Sequence, residues 1–297
     1  MKRFTINAMA KINLALDVLR RREDGYHEVR MIMQTVELFD TLHFEKQKEG
    51  ITILVEGADL PVDQDNLIYR AASLLFEEKG IKEGVRITLE KRIPIAAGMA
   101  GGSTDAAATL TGLNRLFDLG YEDDELKRLG LTLGADIPYC IQGGTVLSEG
   151  IGEKLTKLPS VPPAWLVVAK PDMDVSTAYV YQSLKVDQLE NRPDIDGMIE
   201  AIRQEDIAGV AERLGNVMES VTEKENPVIT GLKAMMKEGG ALNALMSGSG
   251  PTVFGIFIKE EAARKVQEQI EKSGLAPQSH VTVFCERAQV IQGGQEE

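Results

Sequence analysis

Apolar and polar residues alternate near the start of the chain. From residue 4 to residue 18 every second residue is apolar, and this period predicts a β-strand. Lys11 and Asn13 fall on the other face, roughly 7 Å apart along the strand, so we expect both side chains to point the same way. The same pattern predicts further strands at 29–38, 41–46, 51–56 and 85–89.

Helical spacing of apolar residues follows this strand-rich stretch. Asp65 and Asn66 can cap a helix that ends at Gly80. A second helix is expected after a glycine-rich loop at 97–105, and a third at 123–130. The first half of the chain therefore predicts strands with interspersed helices.

A proline-rich stretch precedes the second half. Residues 158–163 hold three prolines, which indicates a boundary between two domains, 1–160 and 161–297. The elements expected beyond it are a strand at 165–169, two or three helices across 176–238, strands at 244–246 and 253–258, a helix at 260–273, a strand at 281–285 and a loose tail at 293–297. This order predicts an α+β domain with its helices on one face of the sheet.

Composition narrows the class of protein. The chain has 297 residues, is 43% hydrophobic and carries a formal net charge of −13. That apolar content argues against disorder, and the negative charge argues against nucleic acid or an anionic membrane as the main partner. A membrane span is not expected, because the chain has no run of apolar residues long enough.

Cysteine and histidine usage gives two further expectations. Cys140 and Cys285 form no CxxC pair, which fits a reducing cytoplasm. The three histidines lie at no metal-ligand spacing with one another or with a cysteine, so a zinc site is not expected. Nothing in the spacing identifies ligands for another metal.

The loop at 97–105 is the strongest candidate for chemistry. A glycine-rich turn before a helix lets backbone N–H groups approach an anion, and the helix dipole favours negative charge there. The loop is neither a Walker A nor a GxGxxG motif. A flexible turn or close helix packing remains the alternative.

Two charged residues are candidates to act beside this loop. Lys11 could supply the positive charge that the loop lacks, or it could be a solvated side chain on its strand. Asp136 could cap the following segment, or it could hold a carboxylate near a substrate hydroxyl. Composition does not separate these alternatives.

A second glycine-rich loop and several polar aromatic residues complete the candidates. Residues 247–252 read SGSGPT between two apolar strands, a pattern typical of a simple turn or of an anion-binding nest. Tyr26, His27 and Tyr181 could be half-buried packing residues or a platform for a base.

Three motifs together resemble the GHMP kinase superfamily of small-molecule kinases. They are MAKINL at 9–14, PIAAGMAGGSTDAA at 94–107 and MSGSGPT at 246–252. DGYH at 24–27, DNL at 65–67, GADIP at 134–138 and GIGE at 150–153 resemble one branch of that family, whose substrate carries a cytidine diphosphate. The chain departs from the family pattern at Met9, Met99 and Thr104, where proline, leucine and serine are usual.

The resemblance implies a fold and a reaction. The expected fold is the α+β two-domain GHMP kinase fold, with an N-terminal domain like the second domain of ribosomal protein S5 and a smaller C-terminal α+β domain. The active site is expected in the cleft between them. The implied reaction is transfer of the ATP γ-phosphoryl group, with Mg²⁺, to a hydroxyl of a cytidine diphosphate substrate in non-mevalonate isoprenoid synthesis. The lack of a recognisable transit peptide favours a bacterial cytoplasm over a plastid.

The resemblance also implies residue roles. Lys11 and Asp136 are the expected catalytic pair. The expected ATP-binding residues are Asn66, Pro94, Ile95, Ala96, Ala97, Gly98, Met99, Ala100, Gly101, Gly102, Ser103 and Thr104. The expected substrate-binding residues are Asn13, Tyr26, His27, Thr177 and Tyr181, with Tyr26 and Tyr181 enclosing the pyrimidine. The loop residues expected to complete the cleft are Ser247, Gly248, Ser249 and Gly250.

Three other functions compete with this interpretation. The nearest is another GHMP kinase that acts on homoserine or mevalonate, although Tyr26 and His27 would then have no base to contact. A nucleotide-binding regulator without catalysis is expected to lack Lys11 or Asp136, and both are present. A nucleic-acid-binding protein is opposed by the net charge of −13.

Overall fold

The computed structural model describes residues 3–292, so the tail expected at 293–297 lies outside the described residues. The strands are β1 (Arg3–Arg21), β2 (His27–Gln47), β3 (Ile51–Glu56), β4 (Gly84–Glu90), β5 (Thr145–Gly150), β6 (Lys154–Lys157), β7 (Trp165–Lys170), β8 (Gly215–Asn216), β9 (Asn243–Met246), β10 (Val253–Phe257), β11 (Gln278–Cys285) and β12 (Gln289–Gln292).

Helices alternate with these strands. The α-helices are α1 (Leu67–Lys79), α2 (Gly101–Leu116), α3 (Asp123–Leu131), α4 (Ile137–Gln142), α5 (Thr177–Ser183), α6 (Ile195–Arg203), α7 (Ile207–Glu212), α8 (Glu219–Glu225), α9 (Pro227–Glu238) and α10 (Glu260–Ser273). A 3₁₀ helix spans Val186–Gln188. None of the helices in the described part of the chain is long and apolar enough to cross a membrane.

A long antiparallel hairpin of β1 and β2 organises the sheet. β1 also pairs with β12 and β8, while β2 pairs with β4, β5 and β11. Through β11 the sheet continues into β7, β10 and β9, so strands of the second half extend the sheet of the first. The hairpin therefore joins both halves of the molecule.

The predicted strand at the N-terminus is confirmed, but its polar face is not exposed to solvent. Lys11, Asn13 and Asp17 are buried together with the apolar residues between them. Both faces of β1 are covered because α2 packs against the strand and the loop after β9 reaches Asn13. Buried polar groups need partners, and those on β1 find them in these neighbouring elements.

The two strands expected at 29–38 and 41–46 form one strand, β2. The hairpin register shifts between Met9 and Ala10, opposite this junction. Asp40 interrupts the apolar pattern there, yet it is fully buried. Its carboxylate accepts bonds from Lys91 Nζ and from the backbone N–H groups of Arg92 and Ile93. The polar residue Asp40 therefore looks like the end of a strand in the sequence, although the strand continues through it.

The predicted strands and the last helix of the second half are confirmed, but residues 176–238 form five α-helices and not two or three. The helices also cover both faces of the sheet. α9 and α10 pack on one face of β7, β9 and β10. Residues of α6 and α7 share a second core with the opposite face of these strands. The expectation of helices on one face was wrong because these strands are apolar on both sides.

Candidate active site

A cleft of about 1380 Å³ lies between the β1–β2 hairpin, the loop before α2 and the segment that contains α5. It brings together the predicted residues Lys11, Asn13, Tyr26, His27, Asn66, Pro94, Ile95, Ala96, Ala97, Gly98, Ala100, Gly101, Gly102, Ser103, Asp136, Thr177, Tyr181, Gly248 and Ser249. In the described chain the predicted residues that do not line it are Met99, Thr104, Ser247 and Gly250.

Lys11 is a buried residue that lines the cleft. Its ammonium donates to Asn13 Oδ1 at 2.7 Å and to the carbonyl oxygen of Gly98 at 2.9 Å. Burial lowers the pKa of Lys11, while the nearby negative charge of Asp136 acts in the opposite direction. Two neutral acceptors thus fix a cation whose third proton remains available to a ligand.

Asp136 lies at the N-cap position of α4 and lines the same cleft. Among the described residues its side chain makes no capping bond to α4, so the capping role considered from the sequence is not seen. Asp136 also forms no direct ion pair with Lys11 in this part of the chain, although its charge reaches the ammonium through space. The carboxylate is half-buried and faces the cleft.

The loop before α2 has a backbone suited to anions. Ala96, Gly98 and Ala100 have φ angles of 51°, 68° and 57°, so every second residue of this part of the loop has a positive φ. Such alternation turns successive N–H groups inward to form a nest. The positive φ angles of the two alanines are strained, a feature that clusters at functional sites. α2 begins directly afterwards at Gly101, which directs its dipole at the cleft.

Two predicted loop residues support the loop from behind. Thr104 is fully buried, and its hydroxyl donates to the carbonyl oxygen of Met9 at 2.8 Å. Met99 is buried in the core. Ser103 therefore has the loop hydroxyl that lines the cleft.

The 247–252 loop directly contacts the glycine-rich loop at 97–105. Ser247 Oγ donates to the carbonyl oxygen of Gly98 at 3.0 Å, the same atom that accepts from Lys11. A Cβ on Gly98 would lie 2.2 Å from the carbonyl oxygen of Ser247. Only glycine permits this approach, since its φ is also positive. Asn216 Nδ2 holds the second loop by donating to the carbonyl oxygens of Met246 and Gly248.

Aromatic side chains gather at the other end of the cleft. His27 stacks on Tyr181, with ring centroids 4.9 Å apart, while Tyr26 is 58% exposed. Burial lowers the pKa of His27, and the charge of Arg21 lowers it further, which favours a neutral imidazole. Thr177 is held at this end by a bond between its Oγ1 and Ser249 Oγ at 2.8 Å.

Two predicted ligand-binding asparagines use their side chains within the protein. Asn66 Oδ1 accepts from the N–H of Ile68 at 2.8 Å, and its Nδ2 donates to the carbonyl oxygen of Pro61 at 2.6 Å. Asn13 Oδ1 accepts from Lys11, and its Nδ2 contacts Met31 Sδ at 3.3 Å. Both residues line the cleft, but these bonds give them a supporting function there.

Sequence reasoning missed a buried charged cluster under the loop. Lys91 Nζ donates to Asp40 at 2.5 Å and to Asp105 at 2.8 Å, and Lys91 and Asp105 line the cleft. Burial lowers the pKa of Lys91, but the two carboxylates together raise it above its usual range. Burial raises the pKa of Asp105 well above its usual range. The signal in the sequence that could have pointed to this cluster was Lys91, which lies just before the loop.

The fold and the cleft define a small-molecule kinase of known class. The chain matches the family models for the GHMP kinases N terminal domain at residues 66–144 and the GHMP kinases C terminal domain at residues 198–275. The chain belongs to the GHMP kinases, as its motifs predict.

Individual relatives narrow the comparison. The chain is 50% identical over 283 residues to the 4-diphosphocytidyl-2-C-methyl-D-erythritol kinase of Lachnospira eligens, which covers 95% of this chain and 98% of that protein. It is 49% identical to the enzyme of the same name from Caldicellulosiruptor bescii, over 90% of this chain and 93% of that protein.

Solved structures agree with this comparison. A crystal structure of 4-(cytidine 5'-diphospho)-2C-methyl-D-erythritol kinase matches with a TM-score of 0.81 at 33% identity, over 98% of this chain and 100% of that chain. A homoserine kinase from Cytophaga hutchinsonii matches with a TM-score of 0.77 at 20% identity, over 98% of each chain. At that lower identity the likeness shows the fold alone.

Proposed function

We propose that the protein transfers the γ-phosphoryl group of ATP to the 2-hydroxyl of 4-diphosphocytidyl-2-C-methyl-D-erythritol. One observation carries the proposal: a single cleft unites an anion-binding loop, the Lys11–Asp136 pair and an aromatic end. The loop fits the phosphates of the donor, the Lys11–Asp136 pair fits the reacting hydroxyl, and the aromatic end fits the pyrimidine of the substrate. The names of the relatives at about half identity support the choice of substrate.

The transfer follows from the charges at the centre of the cleft. The substrate hydroxyl oxygen forms a bond to the γ-phosphorus, and the bond from that phosphorus to the β–γ bridging oxygen breaks. ADP takes the electron pair of the broken bond, and Asp136 orients the hydroxyl and accepts its proton. Lys11 stabilises the charge on the transferring group. Phosphoryl transfer depends mainly on such positioning and charge stabilisation.

Backbone N–H groups of residues 95–104, in the loop that begins at Pro94, and the N-terminus of α2 bind the phosphates. Mg²⁺ fits beside them because Ser103 offers a hydroxyl in the cleft, and Mg²⁺ in kinases is held largely by substrate phosphates and water. In the described residues no group of three His, Cys, Asp or Glu side chains is placed to hold a metal. The ion supplies charge neutralisation on the phosphates when bound.

The remaining assignments concern the substrate end and the whole protein. Tyr26, His27, Thr177 and Tyr181 receive the cytidine, with the neutral His27 able to both donate and accept a hydrogen bond. The two domains are 1–160 and 161–297, which the family models at 66–144 and 198–275 support. The protein acts in the cytoplasm of a bacterium, which its two free thiols support.

A coupled ADP-release assay tests the proposal. Purified protein receives MgATP with 4-diphosphocytidyl-2-C-methyl-D-erythritol, with the uncytidylylated methylerythritol phosphate, or with homoserine or mevalonate. We expect turnover of about 1–100 s⁻¹ with the cytidylylated compound alone. Comparable turnover of homoserine or mevalonate would exclude the proposed substrate, as would inactivity in a folded protein that binds ATP.

A further inference from the structure

Arg192 forms a bridge behind the aromatic end of the cleft. It lies between the 3₁₀ helix Val186–Gln188 and α6. Its Nη1 donates to Asp17 Oδ1 at 2.6 Å and to the carbonyl oxygen of Val18 at 3.1 Å. Its Nη2 donates to the carbonyl oxygen of Val186 at 3.1 Å. One guanidinium therefore ties the end of β1 to the 3₁₀ helix.

The two segments that Arg192 joins form opposite walls of the cleft. β1 leads through its last residues into the turn that carries Tyr26 and His27. The 3₁₀ helix follows α5, which carries Thr177 and Tyr181. Both walls line the cleft, one with residues 20–21 and 25–27 and the other with 177–178, 181–182 and 184–188. Arg192 itself does not line it in the described chain.

The bridge has the chemistry of a rigid connection. Asp17 is only 6% exposed, so its carboxylate depends on this partner for compensation of its lost hydration. The planar guanidinium presents several donors in fixed directions and can hold the carboxylate and both backbone carbonyls at once. A lysine has one point of charge and cannot reproduce this geometry.

We propose that Arg192 is a positioning residue that sets the spacing between the two walls of the cytidine end. This inference rests on the proposed function, because it assigns the walls to the cytidine group. The stack of His27 on Tyr181 is a second contact between these walls in the described chain. Without Arg192 the stack remains, but the end of β1 loses its charged connection to the 3₁₀ helix.

Kinetics of three variants test the proposal. Arg192→Ala should raise KM for the cytidylylated substrate about tenfold, because it leaves the buried carboxylate of Asp17 without its guanidinium partner, while KM for ATP changes less than about twofold. Arg192→Lys should give an intermediate KM. Asp17→Asn/Arg192→Ala leaves no unpaired buried carboxylate, and it should keep the raised KM while it recovers thermal stability.

Arg30→Ala is the matched control. Arg30 also joins the hairpin to α6, through Asp196, and its side chain is 27% exposed against 37% for Arg192, but it does not line the cleft in the described chain. It should leave both KM values unchanged. Equal changes in the KM for ATP and for the cytidylylated substrate, or a wild-type KM in Arg192→Ala, would overturn the proposal.

A measurement without turnover separates this inference from the proposed function. Hydrogen exchange of the backbone amides at 184–188 should be faster in Arg192→Ala than in the wild type and in Arg30→Ala. Unchanged exchange would show that Arg192 does not hold the wall. Wild-type inactivity with the cytidylylated substrate would instead reject the proposed function, whatever the exchange result.

Discussion

The carbonyl oxygen of Gly98 links the main parts of the site. It accepts hydrogen bonds from Lys11 Nζ and Ser247 Oγ. It therefore connects the proposed catalytic lysine, the glycine-rich loop at 97–105 and the loop after β9. Asn13 fixes the same lysine from the other side. The position of the cation is therefore set by neutral acceptors, and Asp136 stays free of a direct ion pair among the described residues. A free carboxylate can receive a proton from a substrate hydroxyl.

Replacement of Asp136 tests its role in the reaction. Asp136→Asn keeps the shape of the side chain and removes the charge and the proton acceptor. We expect kcat to fall about 100-fold or more, while ATP binding measured by titration calorimetry stays near the wild-type value. Asp124→Asn, at a side chain 93% exposed, is the control and should be fully active. An Asp136→Asn enzyme with wild-type kcat would remove Asp136 from the mechanism.

Burial of Lys11 predicts the alkaline limit of activity. Because burial lowers the pKa of Lys11, the folded protein loses this proton at a lower pH than a free lysine does. We expect kcat to fall as the pH rises through that lowered pKa. Lys11→Arg, whose guanidinium stays charged, should move the fall to higher pH at reduced kcat.

The stability contribution of Lys11 has the opposite sign. Between the lowered folded pKa and the ordinary unfolded pKa, the unfolded chain binds more protons, so stability rises with pH from this group. Thermal melts over the same pH range should therefore show no loss of stability from Lys11 where kcat falls. A fall in kcat that follows unfolding would contradict the assignment.

Gly98→Ala tests the contact between the two loops. The added Cβ would meet the carbonyl oxygen of Ser247 at 2.2 Å in a residue with φ of 68°, so we expect a loss above about 3 kcal/mol in the free energy of unfolding. Gly80→Ala is matched in backbone conformation, with φ of 63°, but its Cβ would meet no atom of residues 3–292 within 4 Å. It should cost about 1–2 kcal/mol, from strain alone. Equal losses by urea denaturation would contradict this account.

Helices and strands whose ends are set by nearby residues could be predicted from the sequence. The helix from 67 to 79 was predicted because Asn66 caps it and Gly80 ends it, and the structure confirms both ends. β8 and β12 were missed because they are short and exist only by pairing with β1. The wall at 184–188 was missed for a similar reason, since its place in the cleft depends on long-range contacts.

Dependence on long-range contacts also explains which parts of the candidate site could not be predicted from the sequence. The motifs predicted the loop, Lys11 and Asp136, and the structure brings these residues into one cleft. The sequence could not show that the side chains of Asn66 and Thr104 form hydrogen bonds within the protein. Nor could it pair Lys91 with Asp40, because 51 positions separate them.

Variants of Asn66 separate its cap from its bond to Pro61. Asn66→Ala loses the bond to the N–H of Ile68 and should destabilise the protein by about 1 kcal/mol. Asn66→Asp keeps an acceptor at the N-terminus of α1, so its melting temperature should stay near that of the wild type. Both variants lose the donor to Pro61, a cleft residue, and both should raise KM for ATP. Equal melting temperatures for the two variants would contradict a capping role.

For the whole molecule, the path of the chain couples the two halves. Strands from the second half return to the first: β8 and β12 pair with β1, and β11 pairs with β2. Ion pairs add to these ladders, among them Arg30 with Asp196 and Arg192 with Asp17. The cleft lies across the same junction, so its geometry depends on how firmly the halves hold together.

This coupling predicts a single unfolding transition. If the shared sheet joins the halves, neither can lose its core while the other stays folded, because β1 and β2 would lose their outer neighbours. Differential scanning calorimetry of the full chain should give one peak, with equal calorimetric and van't Hoff enthalpies. A chain ended after Arg287 lacks β12 and leaves Thr5 to Ala8 of β1 unpaired on that edge, so its single peak should move to lower temperature. Two separate peaks in the intact protein would show instead that the halves are independent domains that meet only at the cleft.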